Sequence, residues 1–491
     1  MSIDAACKAA AYGVVAAYGT VAAYGDNSPI AAFATAAGNS ALTLIRCSGT
    51  GSIDLASSLF SPQKIKDAQG NTVARGWIVS DNEKIDEVLV SIFRAPKSYT
   101  GEDCLDICCH GGPAAGRAVM AALKSAGFRD ALPGEFTFRA FLNGKLDLTK
   151  AESVMELVGA KTETGRRHAV TRLCGSLETE INEIKKTLVE LLCGAEIYLD
   201  YCEDEISADA NEKAGRLPNI EGALPAIERL KKLSASWQLQ RIYQEGVTVV
   251  IAGRPNSGKS SLFNALLKED RSIVTEIPGT TRDWIEALVS IEDIPVRLID
   301  TAGLREAADA AEKIGVQRSR ELLKEAELVL YLIDGVQGVT GEDRDFIASF
   351  ASEGGSEKKP LLLLWNKRDL APPPHEFPYA ADKPAGISAK TGEGLAELYA
   401  AIALAIRGQA AQAGFQEHGA SAAIGTQRQK KLVDAAAAAM DEALALARRE
   451  EPLDIIAPLI REAVNALGEI TGEVSTADIL EEMFSRFCVG K

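Results

Sequence analysis

The chain has 491 residues, enough for about three ordinary domains, and its 46% hydrophobic and 25% charged residues are the balance of a protein that buries real cores. A formal charge of −16 excludes broad coating of nucleic acid through bulk electrostatics, while leaving room for a local basic patch. No run approaches the ~20 apolar residues of a membrane span, and nine cysteines at irregular spacing suggest free thiols in a reducing cytoplasm, with no membrane partner.

Residues 1–27 repeat Ala-Ala-Tyr-Gly at a six-residue period, with Tyr12, Tyr18 and Tyr24. They read as a disordered extension and a poor signal peptide. From Ile30 to Asp147, β-like runs (Ala41–Arg46, Glu87–Phe93, Cys104–Cys109) mix with a helix over Ala114–Ala126, the pattern of an α+β domain. Cys104, Cys108, Cys109 and His110 invite a metal reading. A strand there points neighbours to opposite faces, which favours core and turn roles. From Thr149 the pattern turns helical, and Ile181, Ile184, Leu188, Leu191, Ala195 and Tyr198 form one apolar stripe ending near Asp200–Glu205.

After Gly246 come short buried-strand runs: Val247–Ala252, Val296–Asp300, Leu328–Asp334 and Leu361–Trp365. They predict a parallel sheet with helices on both faces. Beyond Gly408 the sequence is helical to its end. An α/β domain inserted into a helical domain accounts for helical sequence on both sides.

The segment Gly253-Arg254-Pro255-Asn256-Ser257-Gly258-Lys259-Ser260 fits G-x-x-x-x-G-K-[ST] after a strand. Backbone N–H groups of such a loop cradle phosphates, the lysine supplies charge and the serine hydroxyl reaches Mg²⁺. Ser261 follows on the same helix start. Asp300-Thr301-Ala302-Gly303 ends a strand, placing Asp300 near the metal and the Gly303 N–H near the γ-phosphate. Asn366-Lys367-Arg368-Asp369 ends another strand. The Asp369 carboxylate can accept two hydrogen bonds from guanine N1–H and N2–H₂; adenine would leave it unpaired. Ser388-Ala389-Lys390 fits the loop that closes over the base. Together these motifs predict GTP as the ligand.

The residue after Asp300–Gly303 is Leu304, where small regulatory GTPases carry a glutamine that positions the attacking water. Another group must take that part, with Arg305, Glu306 and Glu312 the nearest candidates. In Thr275-Glu276-Ile277-Pro278-Gly279-Thr280-Thr281-Arg282-Asp283, Thr281 is the expected second protein ligand of Mg²⁺ beside Ser260.

With these residues in view, the chain after residue 28 resembles the tRNA modification GTPases called MnmE or TrmE. The resemblance rests on Gly253–Ser260, Thr275–Asp283 and Asp300–Glu306, and on Thr100–Asp103, Pro133–Phe136, Phe141–Leu148 and the ending Phe487–Lys491. It implies a multidomain α/β protein. Residues 28–148 would be a tetrahydrofolate-binding and dimerisation domain, 149–245 and 408–491 the two halves of a helical domain, and 246–407 an inserted Ras-like GTPase domain. It further implies a cytoplasmic homodimer joined by an FAD- and NADH-using MnmG/GidA-type partner in a heterotetramer. That assembly adds a (carboxymethyl)aminomethyl group to C5 of the wobble uridine of certain tRNAs. The one-carbon unit would come from 5,10-methylene- or 5-formyl-tetrahydrofolate, and K⁺ would stimulate hydrolysis by supplying charge at the phosphates, its ligands the Asn256 amide oxygen, the backbone oxygens of Thr275 and Ile277 and the Thr280 side chain.

By the same resemblance Arg46, Glu102, Lys145 and Lys491 hold the folate, Glu312 positions water, and Cys488 is a candidate catalytic thiol. Two departures stand out. Val489 replaces the usual isoleucine, and Ala36–Ala41 lacks a basic residue beside Gly38. A regulatory GTPase switch in ribosome assembly is the alternative reading. Lys145 and the Cys488–Lys491 ending favour the modification enzyme.

Overall fold

The computed structural model describes residues 28–62, 65–200, 220–269, 285–300, 322–353, 359–377, 384–412, 422–475 and 477–490. The Ala-Ala-Tyr-Gly repeat, Thr275–Thr281, Thr301–Gly303, Glu312 and Lys491 lie outside these residues. The chain divides into two units. One takes its described residues from Met1–Met155, Arg172–Leu230 and Lys431–Lys491, the other from Glu156–Thr171 and Lys231–Lys430.

The first unit holds a sheet of seven strands: β1 (Ile30–Phe33), β2 (Leu42–Ser48), β3 (Phe60–Ser61), β4 (Thr72–Ser80), β5 (Glu83–Phe93), β6 (Cys104–His110) and β7 (Arg129–Asp130). Their order is β3-β4-β5-β6-β2-β1-β7, antiparallel throughout except for the β1–β7 pair. Alternate residues Ile45, Cys47, Val88, Val90, Ile92, Leu105, Ile107 and Cys109 point to one face, where Val119, Met120 and Leu123 of the helix Pro113–Ser125 close the core. Cys109 therefore faces that core, while Cys104 lies beside Ser48 and Thr100 and His110 pairs with Asp86. The three expected strands of this domain are present, each slightly longer than its apolar run. The strand Thr72–Ser80 was not among them.

The same unit contains the long helix Ser176–Asp200, packed along the helix Leu453–Thr471. Leu177, Ile181, Ile184, Leu188, Leu192 and Ala195 are buried. The stripe thus runs through Leu192, with Leu191 only half-buried. Ion pairs Lys185–Glu473 and Arg461–Glu196 flank the seam.

The second unit holds the nucleotide sheet: β8 (Val247–Gly253), β9 (Ile285–Ile291), β10 (Ile294–Asp300), β11 (Leu328–Asp334), β12 (Leu361–Asn366) and β13 (Ala385–Gly386), in the order β13-β12-β11-β8-β10-β9. Both faces are covered, which is why these strands read as continuous apolar runs. Val249, Ile251, Leu330 and Leu332 meet the helices Lys259–Glu269 and Leu395–Gln412 on one side. Val250, Ala252, Val329 and Tyr331 meet Leu322, Ala326 and Ile347 on the other. The sheet is not wholly parallel, as the apolar runs had suggested: β9 is an antiparallel edge strand on β10.

The β9–β10 turn is made by Glu292 and Asp293, both at positive φ (49° and 64°), without the Asn-Gly pair such a turn prefers. A tertiary contact offsets this. Asp293 accepts the backbone N–H groups of Glu163 (3.0 Å) and Thr164 (2.6 Å) at the start of the helix Glu163–Leu173, and Thr162 Oγ1 takes that of Gly165. A carboxylate at a helix N-terminus satisfies donors that the helix cannot pair and faces the positive end of its dipole. Asp293→Asn keeps a residue that tolerates the turn but removes the charge and one acceptor. It is expected to lower unfolding free energy by about 1 kcal/mol in urea titration. An unchanged midpoint would show that water caps the helix equally well.

Candidate nucleotide site

In an open α/β sheet ligands bind beyond the carboxyl ends of the strands, where the strand order reverses. Here β8 lies between β11 and β10, and the described residues of the predicted motifs stand at the carboxyl ends of β8, β10, β12 and β13. Topology alone therefore gathers Gly253–Ser260, Asp300, Asn366–Asp369 and Ser388–Lys390 along one edge.

The phosphate loop turns through left-handed positions at Asn256 (φ 62°) and Gly258 (φ 100°). A Cβ on Gly258 would stand 2.2 Å from Asn366 Nδ2, so both the backbone angle and the space call for glycine. Lys259, almost buried, donates from Nζ to the carbonyls of Gly253 (3.0 Å) and Arg254 (2.8 Å). Its ammonium is thereby held at the loop. Ser257 is buried, Ser261 is exposed on the first turn of Lys259–Glu269, and Asn256 stands exposed at the loop tip.

Ser260 Oγ donates to Asp300 Oδ2 at 2.9 Å, and Asp300 is fully buried at the end of β10. A serine hydroxyl and an adjacent carboxylate are hard oxygen donors of the kind Mg²⁺ takes, the carboxylate directly or through water. The donor set fits the metal. Thr281, its other expected ligand, lies outside the described residues.

The base loop is tied to the phosphate loop. The buried Asn366 side chain donates from Nδ2 to Ser257 O (2.7 Å) and accepts the Ala389 N–H at Oδ1 (3.0 Å). Ser388 Oγ donates to Asp369 Oδ1 at 2.7 Å, orienting an otherwise exposed carboxylate. Lys367, at φ 64°, reaches Asp334 Oδ2 at 2.6 Å. Burial alone would raise the Asp334 carboxyl. The Lys367 hydrogen bond and the Val336 N–H outweigh it and hold the group below its ordinary range. Motif reading overlooked Asp334, although an acidic residue ending a central strand next to Gly335 is a recognisable signal.

In the first unit, Arg46, Glu102 and Lys145 gather around the segment 94–103. Arg46 makes a bidentate pair with Asp106 (2.9 and 3.1 Å) and lies 5.5 Å over the Tyr99 ring. Burial works against its charge, and the Asp106 hydrogen bond more than restores it. Glu102 accepts Ser48 Oγ (2.8 Å) and Arg139 (3.0 Å), and Lys145 Nζ donates to Pro96 O (3.0 Å). Arg139 belongs to a buried network with Glu135 and Arg129. The spacing of Glu135 and Arg139, four apart on one helix, was its legible signal. At the C-terminus, Cys488 is exposed and its carbonyl accepts the Gly134 N–H at 3.4 Å. A Cβ on Gly490 would lie 2.4 Å from Phe33 O. Gly490 thus lies directly against β1 of the N-terminal sheet. Among the described residues no His, Cys, Asp and Glu cluster could hold a metal ion, and no helix is long and apolar enough to cross a membrane.

Two family models match the chain. Residues 29–145 match the GTP-binding protein TrmE N-terminus, and residues 148–488 match the MnmE helical domain. The tRNA modification GTPase MnmE of Treponema denticola is 42% identical over 478 residues, covering 94% of this chain and 98% of its own. That of Aquifex aeolicus is 39% identical over 465 residues, covering 94% and 99%. Among solved structures, Aquifex aeolicus Era bound to GDP and AlF4⁻ covers 40% of this chain and 67% of its own, at 24% identity and TM-score 0.26. The G domain of Thermotoga maritima FeoB covers 34% and 99%, at 26% identity and TM-score 0.23. With identity of this order over nearly the full length of both chains, the protein belongs to the tRNA modification GTPase MnmE family.

Proposed function

We propose that this chain hydrolyses GTP with Mg²⁺ and K⁺ and, with an FAD- and NADH-dependent partner, takes part in building a (carboxymethyl)aminomethyl group at C5 of wobble uridine. GTPase action in tRNA modification is the activity named for its relatives. The observation that carries the GTP reading is the joining of Ser260 to Asp300 and of Asp369 to Ser388 on one sheet edge.

Backbone N–H groups of Asn256–Ser261 and the Lys259 ammonium bind the phosphates. Ser260 and Thr281 would hold Mg²⁺, which would supply positive charge to the phosphate oxygens. Asp369 accepts guanine N1–H and N2–H₂, with Lys367 and Ser388–Lys390 closing around the base. Water attacks the γ-phosphorus and the bond to the β,γ-bridging oxygen breaks, giving GDP and phosphate. Leu304 cannot orient that water, so Glu312 does, while Asn256, Thr275, Ile277 and Thr280 would hold K⁺, which would supply the missing charge. Glu276, Pro278, Gly279, Thr301, Ala302 and Gly303 complete the nucleotide contacts. Dimerisation of two such domains orders the loops.

Folate binding by Arg46, Glu102, Lys145 and Lys491 is supported by the convergence of the first three on one segment and by the contact of Gly490 with β1. The Asp106 partner makes Arg46 a poor sole counter-ion for the glutamate tail, which leaves Lys145 and Lys491 as its cations. Cys488 is exposed beside this end, where a nucleophilic part requires its thiolate. The domain limits 28–148, 149–245, 246–407 and 408–491 and a cytoplasmic homodimer belong to the same proposal.

Each part of the proposal has its own test. Asp369→Asn is expected to weaken GTP by about 3 kcal/mol while improving XTP binding in a fluorescence titration; unchanged GTP affinity removes the base assignment. Replacing K⁺ by Na⁺ should cut turnover about tenfold or more, and Glu312→Ala should bind GTP yet fail to hydrolyse it in K⁺. Equal turnover in Na⁺, or an active alanine variant, overturns the K⁺ and Glu312 mechanism while leaving GTP binding intact. Cells lacking the protein should lose the substituted wobble uridine in mass spectra of tRNA nucleosides. A chain lacking Lys491 should hydrolyse GTP, bind 5-formyl-tetrahydrofolate weakly in calorimetry and fail to restore the nucleoside; full restoration would separate the C-terminus from the folate site.

A further inference from the structure

The phosphate loop carries one cationic side chain that the GTP reading leaves without a task. Arg254 donates from Nε to Glu342 Oε2 and from an Nη to Gln337 Oε1, both at 3.2 Å. Its own carbonyl sits inside the loop, accepting the Ser257 N–H (3.3 Å) and the Lys259 ammonium (2.8 Å). One residue therefore holds the loop from within by its backbone and from outside by its side chain.

What it grips is a braced segment. At the start of 334–343, Asp334 holds Lys367 and the Gly335 N–H donates to Asn366 O (2.9 Å), both in the base loop. At the other end, Asp343 accepts the Thr340 N–H (2.9 Å) and hydroxyl (2.7 Å) and the hydroxyl of the buried Tyr331 (2.9 Å). Tyr331 stacks on Phe346 of the helix Gly341–Glu353, their ring centroids 4.3 Å apart. Segment 334–343 thus touches the base loop at one end and the phosphate loop at the other. An exposed ion pair as such contributes little to stability. Here both acceptors of Arg254 stand on a segment that the sheet already immobilises, so the entropy of fixing that end is largely spent before the guanidinium binds.

We propose that Arg254 is a positioning residue for nucleotide binding, a tie that holds the phosphate loop in its cradle shape by anchoring it to the segment bracing the base loop. Without the tie, the turn Arg254–Asn256 samples other shapes and the backbone N–H groups lose their common focus on the phosphates. Both GTP and GDP should then leave faster, because the contact concerns the loop common to them. Guanine selectivity should not change, since Asp369 and Ser388 are held independently.

The test measures release of fluorescent GTP and GDP analogues from the full chain by stopped flow. Arg254→Ala is expected to speed release of both about tenfold, with the preference for GTP over XTP retained. Arg254→Lys, able to reach one acceptor, should recover part of the loss. Glu342→Ala, outside the phosphate loop and exposed, should raise release several-fold while turnover at saturating GTP stays unchanged. The Arg254→Ala, Glu342→Ala double variant should release little faster than Arg254→Ala alone. Release within twofold of the parent in both single variants overturns the proposal, and so does full additivity in the double variant. If Arg254→Ala fails to fold, Glu342→Ala and Gln337→Ala carry the test, since both alter only the acceptors. Loss of GTP preference in any of them would assign the residues to base recognition and equally overturn it.

Discussion

The Asn366 side chain is the joint on which the nucleotide edge depends. Its amide nitrogen holds Ser257 in the phosphate loop and its amide oxygen holds Ala389 in the loop beyond β13. The first contact is buried and the second partly so, where an unmade hydrogen bond is costly. Only a side chain with a donor and an acceptor at fixed separation can serve both, and an aspartate of the same shape would offer two acceptors. Gly258 follows from the same joint, because Asn366 Nδ2 occupies the space a Cβ would need. Distance between phosphates and base is thus set by one amide.

The C-terminal edge of the second sheet was largely legible because phosphate chemistry restricts local sequence. The loop Gly253–Ser260 must expose N–H groups and take left-handed angles, and few residues other than glycine, lysine and serine can do that work at those places. Strands covered on both faces need apolar residues at every position, and Leu328–Asp334 matched its run to the residue. The orientation of β9 was not legible, because an edge strand's direction depends on its turn. Glu292 and Asp293 carry no turn signal, and their conformation is stabilised by Glu163 and Thr164, about 130 residues earlier.

The first unit shows the same limit at its polar residues. Arg46 and Asp106 are sixty residues apart and meet only because β2 and β6 pair in register. A motif could nominate Arg46, but only the sheet shows that its charge is already matched. Likewise Glu102 reads as an isolated acid in Thr100–Asp103, yet it accepts from Ser48 and from Arg139, which is itself shared with Glu135. Glu135 is fully buried between Arg129 and Arg139; burial pushes its carboxyl up and the two guanidiniums pull it below the ordinary range. A folate placed here would meet a preformed network whose charges are oriented before it arrives.

A chain of formal charge −16 nonetheless reads as a binder of a highly anionic nucleotide. Long-range attraction cannot explain it, since added charges beyond a Debye length are screened. The local arrangement can. Backbone N–H groups at a helix start carry partial positive charge that no side-chain tally counts, and Lys259 donates to two carbonyls of that loop, which hold its ammonium at the loop. Lys367, paired with Asp334 at 2.6 Å, is the contrasting case: its charge is matched, and what it contributes to the base loop is position. The two lysines share a side chain and differ in the hydrogen-bond acceptors that hold them, loop carbonyls for Lys259 and the Asp334 carboxylate for Lys367.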